Sequence, residues 1–127
     1  MQKVWMLLLL LMALSANAES LQCDGADVDI KYGKKSPWGW EDVSLKITNG
    51  KAEVIKKFEY VHFFIACLAN SSKKSFVVYQ AYCGGSGCKD LDNWGIVEPT
   101  SLEVLLEPTD NNHKNAERIF GGKLKPF

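Results

Sequence analysis

The chain has 127 residues, 15 basic against 15 acidic side chains, and four cysteines. That length supports one domain with a modest core. The even charge balance argues against nucleic acid as a partner, which requires a dense positive footprint.

The first eighteen residues read as a secretory leader. Met1-Gln2-Lys3 carries one positive charge, Val4 to Leu14 is apolar, and Ser15-Ala16-Asn17-Ala18 ends in small residues at signal-peptidase spacing. Cleavage after Ala18 leaves residues 19–127 as a single globular domain. The apolar run is short for a membrane span, and no later run approaches spanning length, so no stable membrane anchor is expected after cleavage. Ser20-Leu21-Gln22 before Cys23 lacks the small residues of a bacterial lipoprotein signal. The expected location is therefore periplasmic or secreted.

In chain order, Asp27–Tyr32 alternates around Val28 and Ile30 and predicts a first strand. Lys34 to Pro37 is a loop. Trp38-Gly39-Trp40 follows, as a core lid or as a ligand platform. Val43–Thr48 alternates cleanly, with Val43, Leu45 and Ile47 inward. Asn49-Gly50 is a hairpin signal, because both central residues of a type I′ turn need positive φ. Lys51 to Ile55 returns as the next strand. Phe58–Cys67 is rich in aromatic and β-branched residues and predicts a central strand covered on both faces.

Asn70 to Lys74 is a polar turn carrying an N-x-S sequon, and Ser75–Tyr82 is a further strand. Asn93–Glu98 and Leu102–Glu107 form a hairpin across Pro99-Thr100-Ser101. Thr109 or Asp110 caps a helix that runs to Phe120 and buries Ala116, Ile119 and Phe120. Gly121-Gly122 stops it, and Lys123–Phe127 is read as a frayed tail. The fold class is α+β: a mostly antiparallel sheet of about six or seven strands with a short C-terminal helix, stapled by disulfides.

Four cysteines in an exported chain read as two disulfides, and three pairings are open. The favoured one joins Cys83 to Cys88 and Cys23 to Cys67. The first pair closes Gly84-Gly85-Ser86-Gly87, whose glycines give a small ring its backbone freedom. The second pair spans a long loop, where a cross-link restricts the unfolded chain more.

Catalytic constellations are thin. Ser86 lacks the glycine that a nucleophile elbow needs where Cys88 stands. The two histidines read as a packed strand residue, His62, and a solvated one, His113. Cys83 and Cys88 are too far apart in sequence for a C-x-x-C redox site, and no helix N-terminus follows to lower a thiol pKa. The cysteine and histidine spacing fits no zinc pattern. Asp90, Asp92, Glu98, Glu103 and Glu107 read as the wet side of strands and loops. No catalytic residue, metal or cofactor is expected.

What remains is the stapled loop as a stiff recognition element, which loses little order on binding. A strand entering a C-x4-C loop and leaving into further strand, over Val77 to Val97, resembles Ivy, the exported bacterial inhibitors of vertebrate lysozyme. Their disulfide-closed loop plugs the enzyme cleft. The Ivy loop carries a histidine and an aspartate where this chain has Gly84-Gly85-Ser86-Gly87. The resemblance therefore implies the broader role of a periplasmic protein that neutralises an enzyme, as inhibitors and immunity proteins do.

The expected function is thus a non-enzymatic binding protein that neutralises a toxin or cell-wall hydrolase. Gly84, Gly85, Ser86, Gly87, Asp90, Asp92 and Trp94 would form the contact face. Two alternatives stand beside it. One is a small-ligand or accessory protein of the envelope using Trp38, Trp40, Tyr60 and Phe64. The other is a thiol-redox enzyme.

Overall fold

The computed structural model describes residues 18–83 and 93–127. Residues 1–17 and 84–92 lie outside the described residues. Eight strands form one antiparallel sheet: β1 (Ala18–Cys23), β2 (Ala26–Tyr32), β3 (Lys35–Ser36), β4 (Gly39–Asn49), β5 (Ala52–Ala69), β6 (Ser75–Cys83), β7 (Trp94–Val97) and β8 (Val104–Leu106). Helix α1 (His113–Phe120) follows. The strand order is β1-β2-β4-β5-β6-β7-β8, with β3 pairing only β4, so neighbours in space are near-neighbours in sequence.

The first hairpin begins earlier than the sequence reading places it. β1 pairs with β2 from Ala18↔Lys31 to Cys23↔Ala26, around Asp24 and Gly25 at φ +47° and +87°. Asp-Gly is itself a strong type I′ turn signal. It was obscured because Ala18–Cys23 carries one buried side chain and shows no clean alternation.

The sheet curls so that its two halves face each other. Val28 and Ile30 of β2 and Leu45 and Ile47 of β4 pack in one core with Phe63, Val77, Tyr79 and Val97. Val43, Leu45 and Ile47 are inward, as their alternation predicts. The other side of β6 and β7 supplies Phe76, Val78, Trp94 and Ile96 to a second core beneath Ala116, Phe120 and Leu124. The strands covered on both faces are therefore β6, whose residues Phe76 to Ala81 are all buried, and β7, buried throughout. The expectation had assigned that place to Phe58–Cys67. That run belongs to one 18-residue strand, β5, central in strand order but with Phe63 its one fully buried residue. The helix lies over β6 and β7 and leaves the outer face of β5 open.

Close approach inside the first core depends on a glycine. Tyr79 lies opposite Gly95, and a Cβ there would sit 2.1 Å from the ring. Across the molecule Cys23 and Cys67 form a disulfide, with a Cα separation of 5.3 Å. The two cysteines are 44 positions apart in sequence, and in the chain-entropy account such a cross-link contributes about 4 kcal/mol. Cys83 is disulfide-bonded as well, and its expected partner Cys88 lies outside the described residues.

The C-terminal end corrects three further expectations. Neither Thr109 nor Asp110 caps α1; Asn112 stands at the N-cap without a side-chain capping bond. Its amide is used elsewhere: Oδ1 accepts from the Trp94 backbone N–H at 2.8 Å, and Nδ2 donates to the Trp94 and Glu107 carbonyls at 2.9 and 3.1 Å. His113 is half-buried rather than solvated, stacked 5.4 Å from Trp94 and bonded to the Leu124 carbonyl at 2.7 Å. The tail is docked rather than frayed. Leu124 is buried, and the Phe127 N–H donates to Gln80 Oε1 at 2.8 Å. Gly121 does end the helix in the left-handed region, its N–H bonded to the Glu117 carbonyl.

Candidate functional site

Val61 marks the point where the sheet changes partner. It lies opposite Trp40 of β4 on one side and Cys83 of β6 on the other. One residue earlier the β4–β5 pairing skips the Glu41–Tyr60 step, and Tyr60 takes a left-handed φ of +54°. Left-handed backbone is costly for an aromatic residue, on the order of 1–3 kcal/mol, and such strain clusters at functional positions. Beside this bend Gly39, at φ +112°, comes so close to Val61 that a Cβ would lie 2.6 Å from its carbonyl oxygen. Only glycine permits that contact.

Aromatic side chains collect at the bend. Trp38 is 52 % exposed, Tyr60 53 % and Phe64 40 %. Phe64 stacks on Tyr82 and on Phe127, both at 6.3 Å, and His62 lies 5.2 Å from Tyr82. His62 is thus packed against a ring, as expected for a strand histidine. Trp40 is half-buried, 4.6 Å from Tyr32, with the Lys35 ammonium 5.4 Å from its ring centre. The lid reading suits Trp40; Trp38, two residues away, faces solvent.

An open groove of about 490 Å³ runs beside the bend, and its lining includes Glu19, Tyr32, Lys35, Trp40, His62 and Phe64. The Tyr32 hydroxyl donates to Glu19 Oε2 at 3.2 Å. Burial, then the neighbouring Glu19 charge and that hydrogen bond, push the Tyr32 phenol up to about 12.

Of the residues expected at a contact face, Gly84, Gly85, Ser86, Gly87, Asp90 and Asp92 lie outside the described residues. Trp94 is fully buried, ringed by His113 and Phe127, and its indole belongs to the second core. A surface anchor at Trp94 is therefore incompatible with its position. Cys83, the last described residue before position 84, pairs with Val61, the neighbour of the exposed Tyr60. The signal missed in sequence was the combination of an aromatic run with a break in strand pairing, which no local pattern announces.

Among the described residues no cluster of three or more His, Cys, Asp or Glu side chains could hold a metal ion. No helix among them is long and apolar enough to cross a membrane. The Cys23–Cys67 disulfide fits an oxidising extracellular compartment. Compared with known proteins, the chain matches no family model, no curated protein and no solved structure.

Proposed function

We propose that this chain is an exported, non-enzymatic binding protein of the bacterial envelope that neutralises an enzyme by direct protein–protein contact. Its contact surface is centred on Trp38, Tyr60 and Phe64. The single observation behind this reading is that exposed aromatic residues lie next to a strained backbone position, Trp38 beside Gly39 and Tyr60 beside Val61, where Val61 pairs with Cys83. Tryptophan and tyrosine are the residues most enriched among binding anchors, and a rigid mount reduces the ordering cost of association. The groove beside the bend is open, and of the four candidate ligand-platform aromatics only Trp40 and Phe64 line it. That favours a protein surface over a pocket for a small ligand. Export through a cleaved leader accords with the disulfide and with the composition of residues 1–18.

The test is site-specific photo-crosslinking in envelope extract. Benzoylphenylalanine replacing Tyr60 should give one dominant adduct, whereas the same group replacing Lys51, in the β4–β5 turn, should not. The captured protein should be an enzyme whose activity falls on adding stoichiometric purified binder. Equal adducts from both positions, or an enzyme indifferent to the binder, would overturn the proposal.

A further inference from the structure

We infer that the layer made by α1, the tail behind it and the 70–74 turn is a docking surface for an anionic lipid bilayer, which it binds reversibly from one side. This goes beyond the protein-contact reading and does not depend on it. The whole chain balances 15 basic against 15 acidic side chains. That balance is not local. From Lys114 to Phe127 the cations are Lys114, Arg118, Lys123 and Lys125, against one acid, Glu117. Because the totals are equal, the rest of the chain carries the excess of acid.

Packing brings two more cations to this layer. Asn70 Nδ2 donates to the Phe120 carbonyl at 2.9 Å and so sets the 70–74 turn against the end of α1. Lys73 and Lys74 are exposed there, the Lys74 ammonium 5.2 Å from the ring centre of Phe76, which packs edge-on against Phe120. Lys114 and Arg118, four residues apart, are exposed on the side of the helix away from buried Ala116 and Phe120. Leu124 is buried between Lys123 and Lys125, both exposed. The acids nearby are already engaged. Glu117 Oε2 accepts the Leu124 N–H at 2.8 Å, and its carboxylate lies 3.8 Å from His113 and 4.0 Å from Lys123. Asp110 accepts from Asn93 Nδ2 at 3.0 Å, ahead of the helix. Among the described residues Lys73, Lys74, Lys114 and Lys125 have no carboxylate within ion-pair distance.

Cations at a helix C-terminus complement its dipole, but that effect fades beyond the last turn and does not reach Lys114 or Lys125. The kind of cation selects the occupant. All but Arg118 are lysine, and protein interfaces are depleted in lysine and enriched in arginine. The cavities along the sheet are lined by other residues, so none of them gathers these ammonium groups onto a single small anion. Spread over an outward layer, they suit a continuous plane of headgroup charge, where each lysine adds attraction that fades within a Debye length. Peripheral docking combines such attraction with apolar burial. Phe127, 43 % exposed and two residues from Lys125, supplies the apolar part.

The probe is a flotation assay with protein purified from the exported fraction. Vesicles of phosphatidylcholine containing about 30 % phosphatidylglycerol should carry the protein, and vesicles of phosphatidylcholine alone should not. Raising the salt from about 0.1 M to about 1 M should release it, as the Debye length falls from ~10 to ~3 Å. Reversing Lys73, Lys114 and Lys125 to glutamate should weaken binding about tenfold or more. Reversing Lys31, Lys46 and Lys57, exposed on the outer face of β2, β4 and β5, changes the net charge equally and should leave binding within about twofold, because those groups face away from the bilayer. Should the first set fold poorly, glutamine at the same three positions gives a milder loss in the same direction. Equal binding to neutral vesicles, equal losses from the two triple variants, or no binding to anionic vesicles would each overturn the inference, the last leaving these lysines to an acidic protein.

Discussion

Trp94 and Trp38 belong to regions built on opposite terms. The layer beneath α1 is closed: Trp94 has no exposure, its backbone is clasped by Asn112, and Phe127 and His113 cover its ring. The bend at Val61 is open. Trp38 and Tyr60 are more than half exposed, beside the backbone contact of Gly39 against Val61, with no covering layer among the described residues. In the first region aromatic area is used for cohesion; in the second the fold holds it in water, which is unfavourable unless a partner covers it.

The widest separation between the regions is expected from matched truncations. Trp94→Ala should cost about 3–5 kcal/mol, as large core truncations do. Trp38→Ala should change stability by about 0.5 kcal/mol or less while weakening the proposed partner contact. Urea unfolding and a binding assay, run on both variants, measure the four quantities. Comparable stability losses would erase the distinction.

Asn112→Ala asks whether the clasp, rather than the indole alone, closes the covered layer. It strands the Trp94 N–H and two carbonyls, so a loss of roughly 1–3 kcal/mol is expected, read as a lower urea midpoint. Asn112→Asp keeps the acceptor for the Trp94 N–H but not the donors, and should fall below the parent as well.

The smallest effect concerns the turn between β7 and β8. Burial pushes the Glu98 pKa up, but hydrogen bonds from the Ser101 and Thr100 side chains and backbone outweigh it and hold the carboxyl at about 2. A depressed folded-state pKa gives stability that is present above the ordinary carboxylate value. That stability is lost as pH falls from about 4.5 towards 2. Glu98→Gln should therefore flatten the acid limb of the stability curve between those values. The bend, which lacks this carboxylate, should retain its binding activity in the variant at neutral pH.

Much of this architecture is legible in the chain. Val43, Leu45 and Ile47 alternate because one face of β4 is buried. The hairpin signalled at Asn49-Gly50 forms one residue further on: Asn49 ends β4 opposite Ala52, the turn is Gly50-Lys51, and only Gly50 takes a positive φ, so it is not the type I′ turn expected. Ala116 and Phe120 sit a turn apart and do share the buried face of α1. These are local rules acting locally. The sidedness of Phe58–Cys67 was not legible, because coverage depends on where a helix fifty residues later comes to rest. Trp94 looked like an anchor for the same reason: a tryptophan beside a polar loop reads alike whether or not His113 and Phe127 return to cover it. Tyr60 is the hardest case, since a left-handed tyrosine within a strand contradicts its own propensity and is held only by the surrounding ladder.

The strand order also bears on how the chain folds. Along the main path each strand hydrogen-bonds the one before it, so a chain emerging from its N-terminus meets every new partner already formed. Such local wiring favours rapid zippering and keeps unpaired edges brief. The covered layer must wait for α1 and for Phe127, the last residue, to reach Gln80. A chain halted after β7 would leave Trp94 and Ile96 bare, so this hydrophobic layer is sealed only after the rest of the sheet has formed.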